Sequence, residues 1–153
     1  MVAPQILQEF AFFADLDEAE VKNLAAIAGE ISFERSDLVC KEGGPAGKLY
    51  LLLDGWADVF IKIDSRNRRR ELLATLSRGD MFGWSAVVQP YVYTTSVVCA
   101  SPVQTVCFHG DDLLNLFATD QKLGCTMMTK ICQVIASRLL ATRQQMVSLS
   151  VLS

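Results

Sequence analysis

GDMFGWSAVVQPYVYTTSVV, residues 79–98, is the stretch that decides the fold. It opens on a Gly79-Asp80 turn and passes through Phe82 and Gly83 into a short apolar segment. It breaks at Pro90 and resumes from Val92 as a β-branched run. The pattern predicts a short helix set between two strands, and the N-terminus of such a helix offers backbone N–H groups that attract anions.

Upstream, the chain from Glu30 onward consists of short strand-like runs cut by turns: 31–33, 38–40, 49–53, 56–63 and 71–76. The run 42–47 contains three glycines and predicts a turn able to take positive φ. Asp54-Gly55 is a type I′ signal and predicts a hairpin joining the strand at 49–53 to that at 56–63. Residues 64–70 carry Arg66, Arg68, Arg69 and Arg70. They read as a solvated hairpin tip, with a basic partner-binding patch as the alternative. Downstream, residues 103–108 alternate as a last strand.

The ends of the chain read as helical. Phe10, Phe12 and Phe13 cluster as packing residues, and Asp15 and Asp17 are N-cap candidates for a helix whose apolar positions are Val21, Leu24, Ala25 and Ala28. Residues 109–112 predict the cap of a helix over 113–117. A longer helix follows from about Gln121 to Val147, with an apolar stripe through Met127, Met128, Ile131, Val134, Ile135 and Leu139. The last residues read as a fraying tail.

The 153 residues suit one domain with an appended element, and 51% hydrophobic against 20% charged residues permits a packed core. A net charge of −3 argues against a nucleic-acid surface. The five cysteines, Cys40, Cys99, Cys107, Cys125 and Cys132, include no C-x-x-C pair and read as buried hydrophobes in a reducing cytoplasm. No stretch has the length and hydropathy of a membrane span, and no secretory signal pattern opens the chain. The run 43–48 ends in Gly-Lys but is one residue short of a P-loop. No nucleophile–base pair, carboxylate pair or metal-ligand spacing supports an enzyme, so no catalytic or metal residue is expected.

Two ordered motifs together resemble the cyclic-nucleotide-binding domain family of Crp/Fnr-type effectors. The first is the Gly79, Asp80, Phe82, Gly83 and Ala86 framework of the family's phosphate-binding cassette, which ends at Thr94, Thr95 and Ser96. The second is Glu42-Gly43, Leu49-Tyr50 and Gly55. The resemblance implies a mainly β fold with flanking helices: a β jelly roll of about eight strands, N-terminal helices and a long C-terminal helix. Residues 1–120 would form the roll and its N-terminal helices, and 121–153 the C-terminal helix and tail of the same domain. In bacterial regulators of this type the long helix pairs with its twin, which implies a homodimer through the helix around 127–146. The alternative is a helix folded back onto its own roll. A Crp/Fnr-type transcription factor would continue into a winged helix-turn-helix, so the expectation is either a free-standing sensor domain or one whose DNA-binding part has been removed, with no direct DNA binding by this chain.

The resemblance also locates the site. The degenerate cassette comprises Gly83, Trp84, Ser85, Ala86, Tyr93, Thr94 and Thr95. The family's ribose-binding Glu falls on Trp84 and its phosphate-binding Arg on Tyr93. A guanidinium makes two charge-assisted bonds to a phosphate, and a phenol makes one neutral bond. The expected function is therefore a regulatory sensor that does not bind cAMP or cGMP in the usual way. Its pocket would be filled by Trp84, or open to another small ligand lined by Trp84, Tyr91 and Tyr93. The alternative is a true cyclic-nucleotide-responsive regulator using substituted contacts: the backbone of Ser85 and Ala86, the hydroxyls of Thr94 and Thr95, and the charge of Arg78. A haem or iron–sulfur sensor is disfavoured because His109 is the only histidine and the cysteines do not cluster. No cofactor is expected, only a small molecule of unassigned identity.

Overall fold

The computed structural model describes residues 1–63 and 69–152. In chain order the elements are α1 (Pro4–Gln8), α2 (Glu18–Ile27), β1 (Ala28–Phe33), β2 (Leu38–Cys40), β3 (Lys48–Asp54), β4 (Ala57–Lys62), β5 (Arg70–Leu76), β6 (Met81–Phe82), β7 (Ser96–Cys99), β8 (Val103–His109), α3 (Gly110–Thr119) and α4 (Gln121–Leu152). Single 3-10 turns cover Ala11–Phe13 and Trp84–Val87. The strands form two antiparallel sheets, in the orders β1-β8-β3-β6 and β2-β7-β4-β5. Consecutive strands alternate between the two sheets, except β4 and β5, which pair with each other, and the whole is a β jelly roll.

β3 has apolar residues on both faces, and the structure explains why. Leu49 and Leu51 point out of the roll into a core shared with Val21, Leu24, Leu113, Leu123 and Met127. Tyr50 and Leu52 point inward, among Phe82, Val97, Cys99 and Cys107. A strand covered on both faces reads as a continuous apolar run.

The Asp54-Gly55 turn does not close a hairpin, because β3 and β4 belong to different sheets. The turn is strapped instead to the chain at 100–102. Trp56 N–H donates to Ser101 Oγ at 2.9 Å, and Ala100 N–H donates to the Trp56 carbonyl at 2.9 Å. Gly55 has φ +95°, and a Cβ there would lie 2.2 Å from the Pro102 carbonyl oxygen. The glycine serves this close approach as well as the turn. Trp56 lies outside β4 and is exposed.

Helix α2 starts in a capping box: Asp17 accepts from Glu20 N–H at 2.8 Å and Glu20 accepts from Asp17 N–H at 3.0 Å. Asp15 is not a cap; it pairs with Lys130 of α4 at 2.8 Å. At α3 the N-cap is His109, but its side chain makes no capping bond. Asp111 and Asp112 in the first turn favour the positive end of the helix dipole.

Helix α4 docks its first half on the roll through Leu123, Met127 and Ile131, each fully buried and worth about 1.5–3 kcal/mol. Its second half runs over β4 and β5. There Gln145 Nε2 donates to Glu71 Oε1 at 3.0 Å and to the Leu72 carbonyl at 2.7 Å. Leu139, Leu140, Met146 and Val147 along this half are exposed. Cys125 and Cys132 are also exposed, so only Cys40, Cys99 and Cys107 are the buried thiols expected of all five. The apolar reading of cysteine misses that these two lie on the helix face turned away from the roll. The arginine-rich loop at 64–70 falls largely outside the described residues; Arg70 begins β5, its guanidinium 4.5 Å from the Phe60 ring centre.

Candidate functional site: the phosphate cassette and the groove beside it

The cassette is built on β3. Gly83 has φ +80°, and a Cβ there would meet the Lys48 carbonyl oxygen at 2.7 Å and Tyr50 Cδ2 at 3.2 Å. Only glycine lets the 84–87 turn approach the strand this closely. Within the turn, Ala86 N–H donates to the Gly83 carbonyl at 3.1 Å and Val88 N–H donates to the Ser85 carbonyl at 3.3 Å.

Tyr93 converges on the same carbonyl. Its hydroxyl donates to Lys48 O at 2.8 Å and lies 3.4 Å from Lys48 N–H. Its backbone bonds to Gly43 and Gly44, which registers the end of the cassette on the 42–47 turn. The side chain is 9% exposed. Burial, with the Cys40 thiol close by, pushes the phenol's pKa well above its ordinary value. Burial also pushes Cys40 up to about 12. Position 93 is therefore occupied by a neutral side chain whose donor is committed to the protein's own backbone.

Gly83, Trp84, Ser85, Tyr93, Thr94 and Thr95 do surround one cavity, together with Arg138 of α4. Its volume is about 20 Å³, enough for about one water molecule. Ala86 is not on its wall. It faces a separate depression of about 310 Å³ with Tyr91 and His109. Tyr91 therefore does not join Trp84 and Tyr93, and the aromatic trio expected around one ligand is not assembled. Arg78 is also elsewhere: it pairs with Glu9 at 3.0 Å, donates to the Leu53 carbonyl at 2.8 Å and stacks 4.6 Å over the Phe10 ring. Its sequence proximity to the cassette does not translate into reach.

Beyond Trp84, Thr94 and Thr95 the closed cavity gives way to a groove of about 380 Å³ between β4, β5 and α4. Val59, Ile61, Leu73 and Ala74 form its floor, and Ile135, Leu139 and Thr142 its helical wall. Arg138 borders both spaces. Burial lowers its pKa from the ordinary arginine value, opposed in part by the Asp80 carboxylate. Sequence reading missed Arg138, although the signal was present: it continues the roll-facing stripe of Ile131 and Ile135 at helical spacing. Among the described residues no group of three His, Cys, Asp or Glu side chains is placed to hold a metal ion, and no helix is long and apolar enough to cross a membrane.

The profile of the cyclic nucleotide-binding domain matches residues 30–120, from the first strand through the cassette to the start of the last helix. The chain belongs to the cyclic nucleotide-binding domain family. A crystal structure of a putative cyclic nucleotide-binding protein from Geobacter metallireducens is 30% identical, with a TM-score of 0.80 over 91% of this chain and 99% of that one. A cyclic nucleotide-binding domain from Methylobacillus flagellatus shares the fold at a TM-score of 0.80 and 22% identity, over 94% of this chain and 80% of that one. A CRP-like cAMP-activated global transcriptional regulator from Mycobacterium tuberculosis is 25% identical over 147 residues, 95% of this chain and 62% of its own length. The chain thus spans about three-fifths of that curated relative.

Proposed function

We propose that this domain is a non-enzymatic regulatory module of the cytoplasm that senses a small molecule other than cAMP or cGMP. The observation that carries the reading is Tyr93. Its hydroxyl is bonded to Lys48 O at 2.8 Å, where a phosphate-binding member of the family would present a guanidinium. Losing a bidentate charge-assisted contact costs about 1.5–3 kcal/mol, or roughly 10- to 150-fold in affinity. Trp84 adds to this by replacing a ribose acceptor with an indole that narrows the cavity to about 20 Å³. The cassette residues Gly83, Trp84, Ser85, Thr94 and Thr95 then act as the inner wall of a site whose open part is the groove under α4. Titration calorimetry with cAMP and cGMP tests this: no heat is expected at micromolar protein, and saturable micromolar binding of either refutes it.

The output element in this reading is α4, which belongs with the roll as one unit. Along it Cys132, Leu139 and Met146 recur at intervals of seven, with Leu139, at the rim of the groove, 57% and Met146 64% exposed. Residues at that interval form the seam of a paired helix. We read the seam as a homodimer contact and assign no DNA contact to this chain. Light scattering on the purified protein should give the dimer mass, and Leu139→Asp with Met146→Asp should give the monomer.

A further inference from the structure

We propose that the groove between β4, β5 and α4 binds a small amphipathic carboxylate, its apolar body on Ile61, Leu73, Ile135 and Leu139 and its anionic head on the Arg138 guanidinium. The inference deepens the reading above and rests on it, since it names the ligand class of the same site.

Three observations converge. The groove, about 380 Å³, is walled by aliphatic side chains and has one charged residue on its lining, Arg138. A pocket with apolar walls and one placed polar group selects ligands of matching pattern. Second, among the described residues Arg138 has no ion pair or side-chain hydrogen bond. The acid nearest it in effect is Asp80, which already accepts from Ser77 N–H at 2.8 Å through Oδ2. A partly desolvated guanidinium without a bonded anion gains from acquiring one, and its planar fork matches a carboxylate in two parallel bonds. Third, the space on the cassette side of Arg138 is about 20 Å³. A tetrahedral phosphate has no room there, so the anion must sit at the groove end of the guanidinium, continuous with the apolar floor. The Thr94 and Thr95 hydroxyls lie at that same junction.

The test compares 1-naphthaleneacetate with its neutral amide, 1-naphthaleneacetamide, by titration calorimetry on the wild type, Arg138→Gln and Arg138→Lys. Thermal melts establish that each variant is folded, and the lysine variant covers the case in which glutamine is not tolerated. The acid should bind the wild type about ten-fold or more tightly than the amide. Arg138→Gln should reduce the acid to the affinity of the amide and leave the amide unchanged, while Arg138→Lys should retain part of the preference. Equal affinities for acid and amide, both indifferent to position 138, would overturn the anion assignment and leave a purely apolar ligand site. Absence of binding by either probe, with Arg138→Gln shifting the monomer–dimer balance, would mean that a second copy fills the groove, and the inference falls. Tight cAMP binding defeats the functional reading itself, so the two failures are told apart.

Discussion

Tyr93 has one hydroxyl, and its direction separates scaffold from ligand chemistry. Because it is bonded to Lys48 O inside the roll, Tyr93→Phe should lower stability by about 1 kcal/mol without creating nucleotide affinity. Chemical denaturation and calorimetry read the two effects separately. The reverse experiment is Trp84→Glu with Tyr93→Arg, which restores the acceptor and the guanidinium together. This double variant should bind cAMP measurably by calorimetry where the wild type gives no heat. The sequence placed both residues in one cassette and the structure puts both on one small cavity, where Gly83, at φ +80°, holds the turn against Lys48. Arg138 was not legible from the cassette, because it arrives from α4 through tertiary packing. Arg78 shows the converse, a neighbour in sequence that Glu9 and Phe10 draw to another surface.

Among the elements, local chemistry was read well and strand partnership less well. The Asp17 cap of α2, the strand at β3 and a long helix starting at Gln121 follow from nearest-neighbour patterns, although that helix runs to Leu152, through residues read as a fraying tail. The placement of β3 and β4 in separate sheets does not, because a type I′ signal encodes a turn and says nothing of which strand lies beside which. The Ser101 hydroxyl and Pro102 carbonyl that meet the turn are distant in sequence, so their role at Gly55 was invisible. Asp17→Ala should cost about 1 kcal/mol, measured by denaturation, with loss of both bonds of the capping box. The second half of α4 is fixed to β5 by Gln145 rather than by a packed core. Gln145→Ala should therefore speed hydrogen exchange in α4 beyond Leu139 and leave β3 and β8 protected. Faster exchange throughout the roll would contradict this division of the helix.

For the molecule as a whole, the interior of the roll holds neutral acids that resist ionisation. Burial raises Cys40 to about 12 from an ordinary 9.0, and raises Tyr50 to about 12 from 10.0. Cys99, Cys107 and Tyr93 shift in the same direction. In each case the unfolded chain releases its proton at lower pH than the folded one. The stabilisation is thus complete below about pH 9 and is lost as pH climbs toward 12. Urea midpoints should stay level from pH 7 to 8.5 and fall steeply above 10. A thiol reagent at pH 8 should modify Cys125 in the native protein and reach Cys40, Cys99 and Cys107 only after denaturation. Helix α4 turns Ile135 and Arg138 toward the roll and leaves Cys132 and Met146 exposed, with Leu139 both on the groove and 57% exposed. A rod whose reading side and pairing side meet at one residue cannot be pushed on one without shifting the other, and such coupling runs equally in both directions. Dilution alone, by separating the twins, would then change how firmly the domain retains its effector.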